Sequence, residues 1–351
     1  MALCAVLHAP RDLRIEERQP RPLRPHEVRI AVAYAGVCGT DLALYKGDYR
    51  RPLPLVLGHE FCGSVVETGA GADAHLLGRR ATAEINVTCL ARREADPCEA
   101  CRRRIPRHCQ RRTVLGIVSC DGAFATEVVV PADNVQLLPD SISDQEAVFV
   151  EPVAAALQTF ETGPLGRRSD EGFPQDGPPW VVALGVGRLG LLAAAAAKAM
   201  GARVVGVART RANLERAEPY CDALVCSDNA DQAVEEIRQW TGGLGADYVI
   251  EATGSPEGLG LAARLVRPRG TVALKSTPGL PVDNVDLTGL VVNEVRLQGS
   301  RCGPFPEAIE FIASGKIDLE GLISEIFPLA EAAAAVEAAS EGFKALLRCL
   351  P

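Results

Sequence analysis

The apolar run Val181 to Leu184 passes directly into Gly185-Val186-Gly187-Arg188-Leu189-Gly190 and then into an alanine-rich stretch ending near Met200. Few folds accept that succession. A first glycine permits a tight turn after a strand, a second lets the backbone approach a pyrophosphate, and a third allows close helix packing, with the helix N-terminus facing the phosphates. A strand-to-helix turn without a ligand is the simpler alternative, and the chain that follows argues against it. Apolar runs at Val204 to Val207, Ala223 to Val225, Tyr248 to Glu251, Thr271 to Lys275 and Val295 to Gly299 are separated by helical patterns near 211–218, 231–241 and 257–266. Strands alternating with helices define an α/β domain with a doubly wound parallel sheet.

The first third of the chain has a different period. Leu13 and Ile15, then Val28, Ile30, Val32 and Tyr34, alternate with polar or small residues on either side of the turn Pro20 to Pro25. Val65, Val66 and Val128 to Val130 continue the pattern, which is that of half-buried strands in an irregular antiparallel barrel or sandwich. The polar Gly163 to Pro179 segment reads as a surface loop or linker. After Gly299, a helix near Pro306 to Ser314 and apolar segments through Leu350 read as a return to the first domain. The expected division is residues 1–155, 156–299 and 300–351.

A net charge of -8 disfavours general affinity for nucleic acid or an anionic membrane, despite the basic patch Arg102 to Arg112. The N-terminus lacks the basic region and apolar length of a signal peptide, and no run reaches membrane-helix length, so a cytoplasmic location is expected. In that reducing compartment the 12 cysteines are thiols or metal ligands rather than disulfides.

Two stretches concentrate metal-binding side chains. Gly36 to Glu60 holds Cys38, Thr40, His59 and Glu60 in a glycine-rich frame, and a thiol, an imidazole and a carboxylate together suit zinc. Each alone is more often packed or solvated. Cys89, Cys98, Cys101 and Cys109 form a C-x8-C-x2-C-x7-C pattern in a charged segment with little apolar content, where a closed tetrathiolate zinc site would supply the missing folding energy. Ser143 and Glu146 make a capping box, Pro152 marks the first position of the next helix, and Glu151 is thereby expected outside that helix. The remaining cysteines read as small core residues or inert thiols.

Cofactor choice is read at the end of the second strand, where Val207-Ala208-Arg209-Thr210-Arg211 lacks the carboxylate that holds the ribose hydroxyls of NAD. Ala208 leaves room for a 2′-phosphate and Arg209 or Arg211 can pair with it, so NADP is expected ahead of NAD; the alternative is that Arg209 stacks on adenine.

Taken together, CGTDL at Cys38 to Leu42, GHEFCGSVV at Gly58 to Val66, the four-cysteine lobe, Glu151-Pro152, the glycine loop and EATG at Glu251 to Gly254 resemble the zinc-containing medium-chain alcohol dehydrogenases, nearest to the threonine, polyol and glucose dehydrogenase branch. The resemblance runs over essentially the whole chain. It implies a GroES-like, β-rich catalytic domain and a Rossmann domain. It places the catalytic zinc on Cys38 and His59 with Glu60 and Glu151 completing the shell, either of them binding directly. Thr40 matches the hydroxyl that meets the substrate oxygen. The cofactor contacts fall on Gly185, Gly187, Arg188, Leu189, Gly190, Ala208, Arg209, Arg211 and Thr253. The implied activity is hydride transfer between NAD(P) and a secondary alcohol, polyol or sugar-like substrate and its carbonyl, in a homodimer or homotetramer. Two departures stand out. Ala43 replaces a relay histidine, leaving Tyr45, Asp48, the cofactor ribose or water to carry the proton. Eight residues separate Cys89 from Cys98, so Asp96 is the alternative ligand. A non-catalytic cofactor-binding relative is the competing reading; a zinc-free reductase would lack the ligands that are present.

Overall fold

Alternating β-branched and small residues make the ten-residue strand Glu27–Gly36 the spine of the β-rich part. The computed structural model describes residues 1–161, 177–276, 281–283, 285–340 and 344–350; most of the expected linker at Gly163 to Pro179 lies outside them. The spine pairs antiparallel with Glu60–Thr68, with Glu127–Pro131 and with the C-terminal strand Ala345–Arg348. A three-stranded sheet containing Ala2–Ala9 and Asp12–Arg18 completes the antiparallel framework. Contacts divide the chain into two units, Met1–Glu151 with Phe305–Pro351, and Pro152–Pro304.

In the second unit six parallel strands, numbered in chain order, lie in the order 3-2-1-4-5-6: Trp180–Leu184, Arg203–Ala208, Ala223–Cys226, Ala246–Glu251, Val266–Leu274 and Arg296–Gly299. This is the doubly wound Rossmann order. Because helices cover both faces, the central strands are apolar throughout rather than alternating, and Val182, Leu184, Val205, Val207 and Val249 are buried to 1% exposure or less. The fifth strand starts ahead of the expected Thr271. Pro268 and Gly270 conceal its beginning, and a register shift opposite Ala246 and Tyr248, with Arg269 at φ 60°, accommodates them.

Ser143 caps the helix Asp144–Ala147 as expected: its Oγ accepts from Glu146 N at 3.2 Å, and its own N donates to Glu146 Oε2 at 2.9 Å. The following helix departs from expectation. It spans Val150–Gln158, so Glu151 is helical and Pro152 is the third residue. The first turn of a helix has no intrahelical acceptor for its N–H groups, which lets proline stand anywhere in it.

Candidate metal centre and dinucleotide site

Register brings the metal-binding side chains together. Gly36, at the end of the spine, pairs with Glu60 on one side and Leu346 on the other, so Cys38, His59 and Lys344 converge just beyond the same point. Cys38 precedes the helix Gly39–Lys46. Asp41 in its first turn accepts from Cys38 N at 2.8 Å and from Gly58 N at 3.2 Å, stitching the two ligand-bearing segments together. The ligand atoms of Cys38, His59 and Glu60 lie within 4.8 Å of one another, with Cys38 half-buried and the other two buried.

His59 Nδ1 is buried without a hydrogen-bond partner; Asp41 Oδ1 stands 3.4 Å away, outside hydrogen-bonding geometry. Burial would lower the pKa of His59, but Asp41 and Cys38 outweigh it and hold it well above the ordinary imidazole value. A buried imidazole crowded by a thiol and carboxylates is the environment a divalent cation would relieve, and the donor set is one zinc accepts. Glu151 stands outside the tight cluster. Burial, with Glu60 and Glu84 adding, pushes its carboxyl up to about 7, while His59 and Lys344 pull it down. The Cys38 thiol donates a long hydrogen bond to Thr40 Oγ1 at 3.8 Å.

Lys344 was absent from the sequence reading. Its ammonium donates to Glu60 Oε2, both side chains are at most 5% exposed, and it sits 5.4 Å from the Phe149 ring centroid. A Cβ at Gly36 would come within 2.7 Å of Glu60 Oε2 and 3.0 Å of Lys344 Cε, so that glycine makes room for the pair. The one available signal was a lysine preceding the apolar run Ala345 to Leu347. Among the proton-relay candidates, Tyr45 donates its hydroxyl to Glu337 at 2.9 Å, whereas Asp48 is exposed.

The four lobe cysteines also converge, their sulfurs all within 4.8 Å. Cys109 Sγ lies 3.3 Å from Cys89 and 3.6 Å from Cys98. Sulfurs about 2.3 Å from a common tetrahedral zinc would be about 3.8 Å apart, so the cradle is close to the required size. Cys98 is held down to about 6, chiefly by the backbone N–H of Cys101. The eight-residue connection is pinned by Arg92, which donates to Val87 O and Arg111 O, each at 2.8 Å, and to Glu94 at 2.6 Å. Asp96 does not enter the cluster; its side chain is 92% exposed and pairs with Arg102.

In the second unit the three glycines behave differently. Gly185 has φ 89°, and a Cβ there would strike Ala252 O at 2.8 Å; at Gly190 it would meet Gly185 O at 1.8 Å. At Gly187 a Cβ would meet nothing within 4 Å, leaving the backbone open to an incoming group. A groove of about 1200 Å³ is lined in part by Gly185, Gly187, Ala208, Arg209 and Thr253. Arg188 Nη1 is buried without a partner beside this loop, a donor suited to a phosphate. Leu189 and Gly190 lie in the helix behind the loop. Arg211 does not line the groove; it opens the next helix, 92% exposed, with Nε on Glu215 at 2.8 Å. Thr253 donates its hydroxyl to Glu251 at 2.5 Å.

Residues 24–140 match the family described as alcohol dehydrogenase GroES-like domain, and residues 189–314 that described as zinc-binding dehydrogenase. The chain is 31% identical over 342 residues to the sorbitol dehydrogenase of Bacillus subtilis, covering 95% of this chain and 92% of that one. A Sinorhizobium meliloti protein assigned as a zinc-binding dehydrogenase and solved with NADP superposes with a TM-score of 0.85 at 27% identity, over 99% of each chain. An Escherichia coli alcohol dehydrogenase complexed with NADH gives 0.86 at 27% identity, again over 99% of each. The chain therefore belongs to the zinc-containing medium-chain alcohol dehydrogenase family. With that family it is an NAD(P)-dependent oxidoreductase of alcohols.

Proposed function

We propose that this chain interconverts a secondary alcohol, polyol or sugar-like substrate and its carbonyl, using NADP(H) in preference to NAD(H). The observation that carries the reading is the Cys38, His59 and Glu60 cluster, whose ligand atoms lie within 4.8 Å around a buried, unpartnered imidazole nitrogen. When bound there, zinc supplies Lewis-acid polarisation of a substrate oxygen. Cys38, His59 and one of Glu60 and Glu151 would hold it. Lys344 takes Glu60 Oε2 and leaves Oε1 to the cluster. Thr40 offers its hydroxyl to the substrate's proton. Tyr45 donates to Glu337, and the substrate's proton leaves through Tyr45, water or the cofactor ribose. Cys89, Cys98, Cys101 and Cys109 would hold a second, structural zinc.

NADP is favoured because Arg209 lines the groove beside Ala208, with no carboxylate at the end of that strand. The activity is read with a panel of polyols and secondary alcohols, alongside zinc per chain. Absence of both zinc at Cys38 and turnover would sink the proposal in favour of a non-catalytic cofactor-binding relative. A higher kcat/KM with NAD than with NADP would overturn the cofactor choice alone.

The substrate is a small molecule. No helix among the described residues is long and apolar enough to cross a membrane, and twelve free cysteines suit a reducing cytoplasm. Leu287, Val291 and Val292 are 68 to 75% exposed on the helix Leu287–Val292, and Leu297 is exposed on the sheet's edge strand. An uncovered edge of this kind is satisfied by a second copy, so a homodimer or a tetramer built from dimers is the assembly proposed.

A further inference from the structure

An acid borders the groove across from Arg209. Arg209 is the first residue after the second strand, and Glu257 lies beyond the fourth, directly before the helix Gly258–Leu265. Both line the groove, together with Ala208 and Ser255. In the sheet the first strand alone separates the second from the fourth. Neighbouring strands lie about 4.8 Å apart, so the two strand ends stand about 10 Å apart, on either side of the glycine loop. Both side chains are exposed, and Arg209 forms no salt bridge among the described residues. Glu257 accepts from Ser255 Oγ, and Ser255 N donates to Thr253 Oγ1 at 3.0 Å, which fixes the carboxylate at the rim of the groove. The Ser255 hydroxyl, with the Glu257 backbone N–H and the Arg209 guanidinium adding, holds the Glu257 carboxyl below its ordinary value. The two charges therefore act on each other without a fixed contact. Of the groove's remaining charges, Arg264 is paired with Asp231, Arg238 lies in the last turn of the helix Ala230–Trp240, and Asp283 and Asp286 belong to the connection between the fifth and sixth strands.

We propose that Glu257 competes with the 2′-phosphate of NADP for Arg209 and so sets how strongly the protein prefers NADP over NAD. The inference rests on the reading above that Arg209 meets that phosphate. A guanidinium fork aligns both of its N–H groups on one anion at a time. NAD carries a neutral hydroxyl at this position and leaves the arginine to Glu257. NADP draws the arginine to its phosphate, so Glu257 loses its counter-charge and faces a second anion. The cost falls on NADP alone. Two exposed charges about 10 Å apart are worth only a few-fold in affinity, so Glu257 moderates the preference without reversing it. A glutamate that merely precedes its helix would treat both cofactors alike.

Titration at low salt separates these cases. Dissociation constants are measured for NADP+, NAD+, 2′-phospho-ADP-ribose and ADP-ribose on the wild type, Glu257→Gln, Arg209→Ala and the double variant, in about 0.01 M salt, where the screening length is about 30 Å. Glu257→Gln keeps an acceptor for Ser255 and removes the charge. It tightens NADP+ and 2′-phospho-ADP-ribose about threefold and leaves NAD+ and ADP-ribose unchanged. In the Arg209→Ala background the same substitution gives at most about half that gain, because the competition has lost its object. At about 1 M salt, with a screening length of about 3 Å, the gain disappears. The inference is overturned if Glu257→Gln leaves NADP+ affinity unchanged, if it shifts NADP+ and NAD+ alike, or if its gain is undiminished without Arg209. Two other results strike the reading beneath it and remove the inference with it. An NAD+-to-NADP+ Kd ratio that Arg209→Ala leaves at the wild-type value would show that Arg209 does not meet the 2′-phosphate, and failure of ADP-ribose to bind the wild type would sink the dinucleotide reading.

Discussion

Lys344 and Glu60, 284 residues apart in the chain, form a buried ion pair at the edge of the Cys38, His59 and Glu60 cluster. It joins the C-terminal strand to the segment that carries His59, and the desolvation cost of each charge is offset only while both partners are present. Lys344→Met should leave Glu60 charged, buried and unpaired, a loss of about 3 to 5 kcal/mol. Urea denaturation of the zinc-free protein, in which no metal shares the Glu60 charge, checks this, and Lys344→Arg should recover most of the loss. A change under 1 kcal/mol for Lys344→Met would show that Glu60 is served by other donors.

The lobe should depend on metal independently of the catalytic cluster. Cys98→Ser should lower zinc from about two to about one per chain and expose the segment Thr88 to Arg112 to protease. Elemental analysis and peptide mapping read both effects. Unchanged zinc content would mean that these sulfurs carry no metal.

The glycine loop allows a paired test. Gly190→Ala places a methyl 1.8 Å from Gly185 O and should destabilise the fold by about 1 to 3 kcal/mol. Gly187→Ala meets nothing within 4 Å and has an ordinary φ of -72°, so its stability cost should stay below about 1 kcal/mol. It should nonetheless weaken dinucleotide binding about tenfold or more, because the methyl occupies the approach of the pyrophosphate. Melting curves and cofactor titration together decide, and normal cofactor affinity in Gly187→Ala would refute the assigned approach.

Burial pushes the thiols of Cys221 and Cys349 up to about 12. The thiolate is the reactive form, so at pH 8 only about one in 10⁴ of either is available, and their reactivity should rise about tenfold per pH unit. Cys226 is exposed. Iodoacetamide at pH 8 should therefore label Cys226 ahead of Cys221 and Cys349, which are spared in the peptide mass spectrum. Early labelling of Cys349 would contradict its burial.

Much of the architecture was legible because periodicity reports burial. The strands from Val181 to Gly299 are apolar runs of strand length between helices, while their order 3-2-1-4-5-6 came from the structure. What escaped were features that local pattern opposes. Pro268 and Gly270 disguise the start of the fifth strand, and Pro152 marks a helix start in the sequence although the helix begins at Val150. Arg211 looked as apt for a phosphate as Arg209; the turn of the helix sends it to Glu215 and keeps Arg209 on the groove.

The sequence by itself determined the family, the two kinds of sheet and the residue types of both candidate metal clusters, because motif spacing and hydrophobic period are properties of short stretches. Only the tertiary structure decided how distant stretches share charge. Strand register about Gly36 brought Lys344 to Glu60, the helical turn after Cys38 turned Asp41 toward Gly58 and His59, and the parallel ends of two strands set Lys275 against Ser300. Electrostatic partners are chosen by proximity in space, and proximity between residues hundreds of positions apart exists only once the strands have paired.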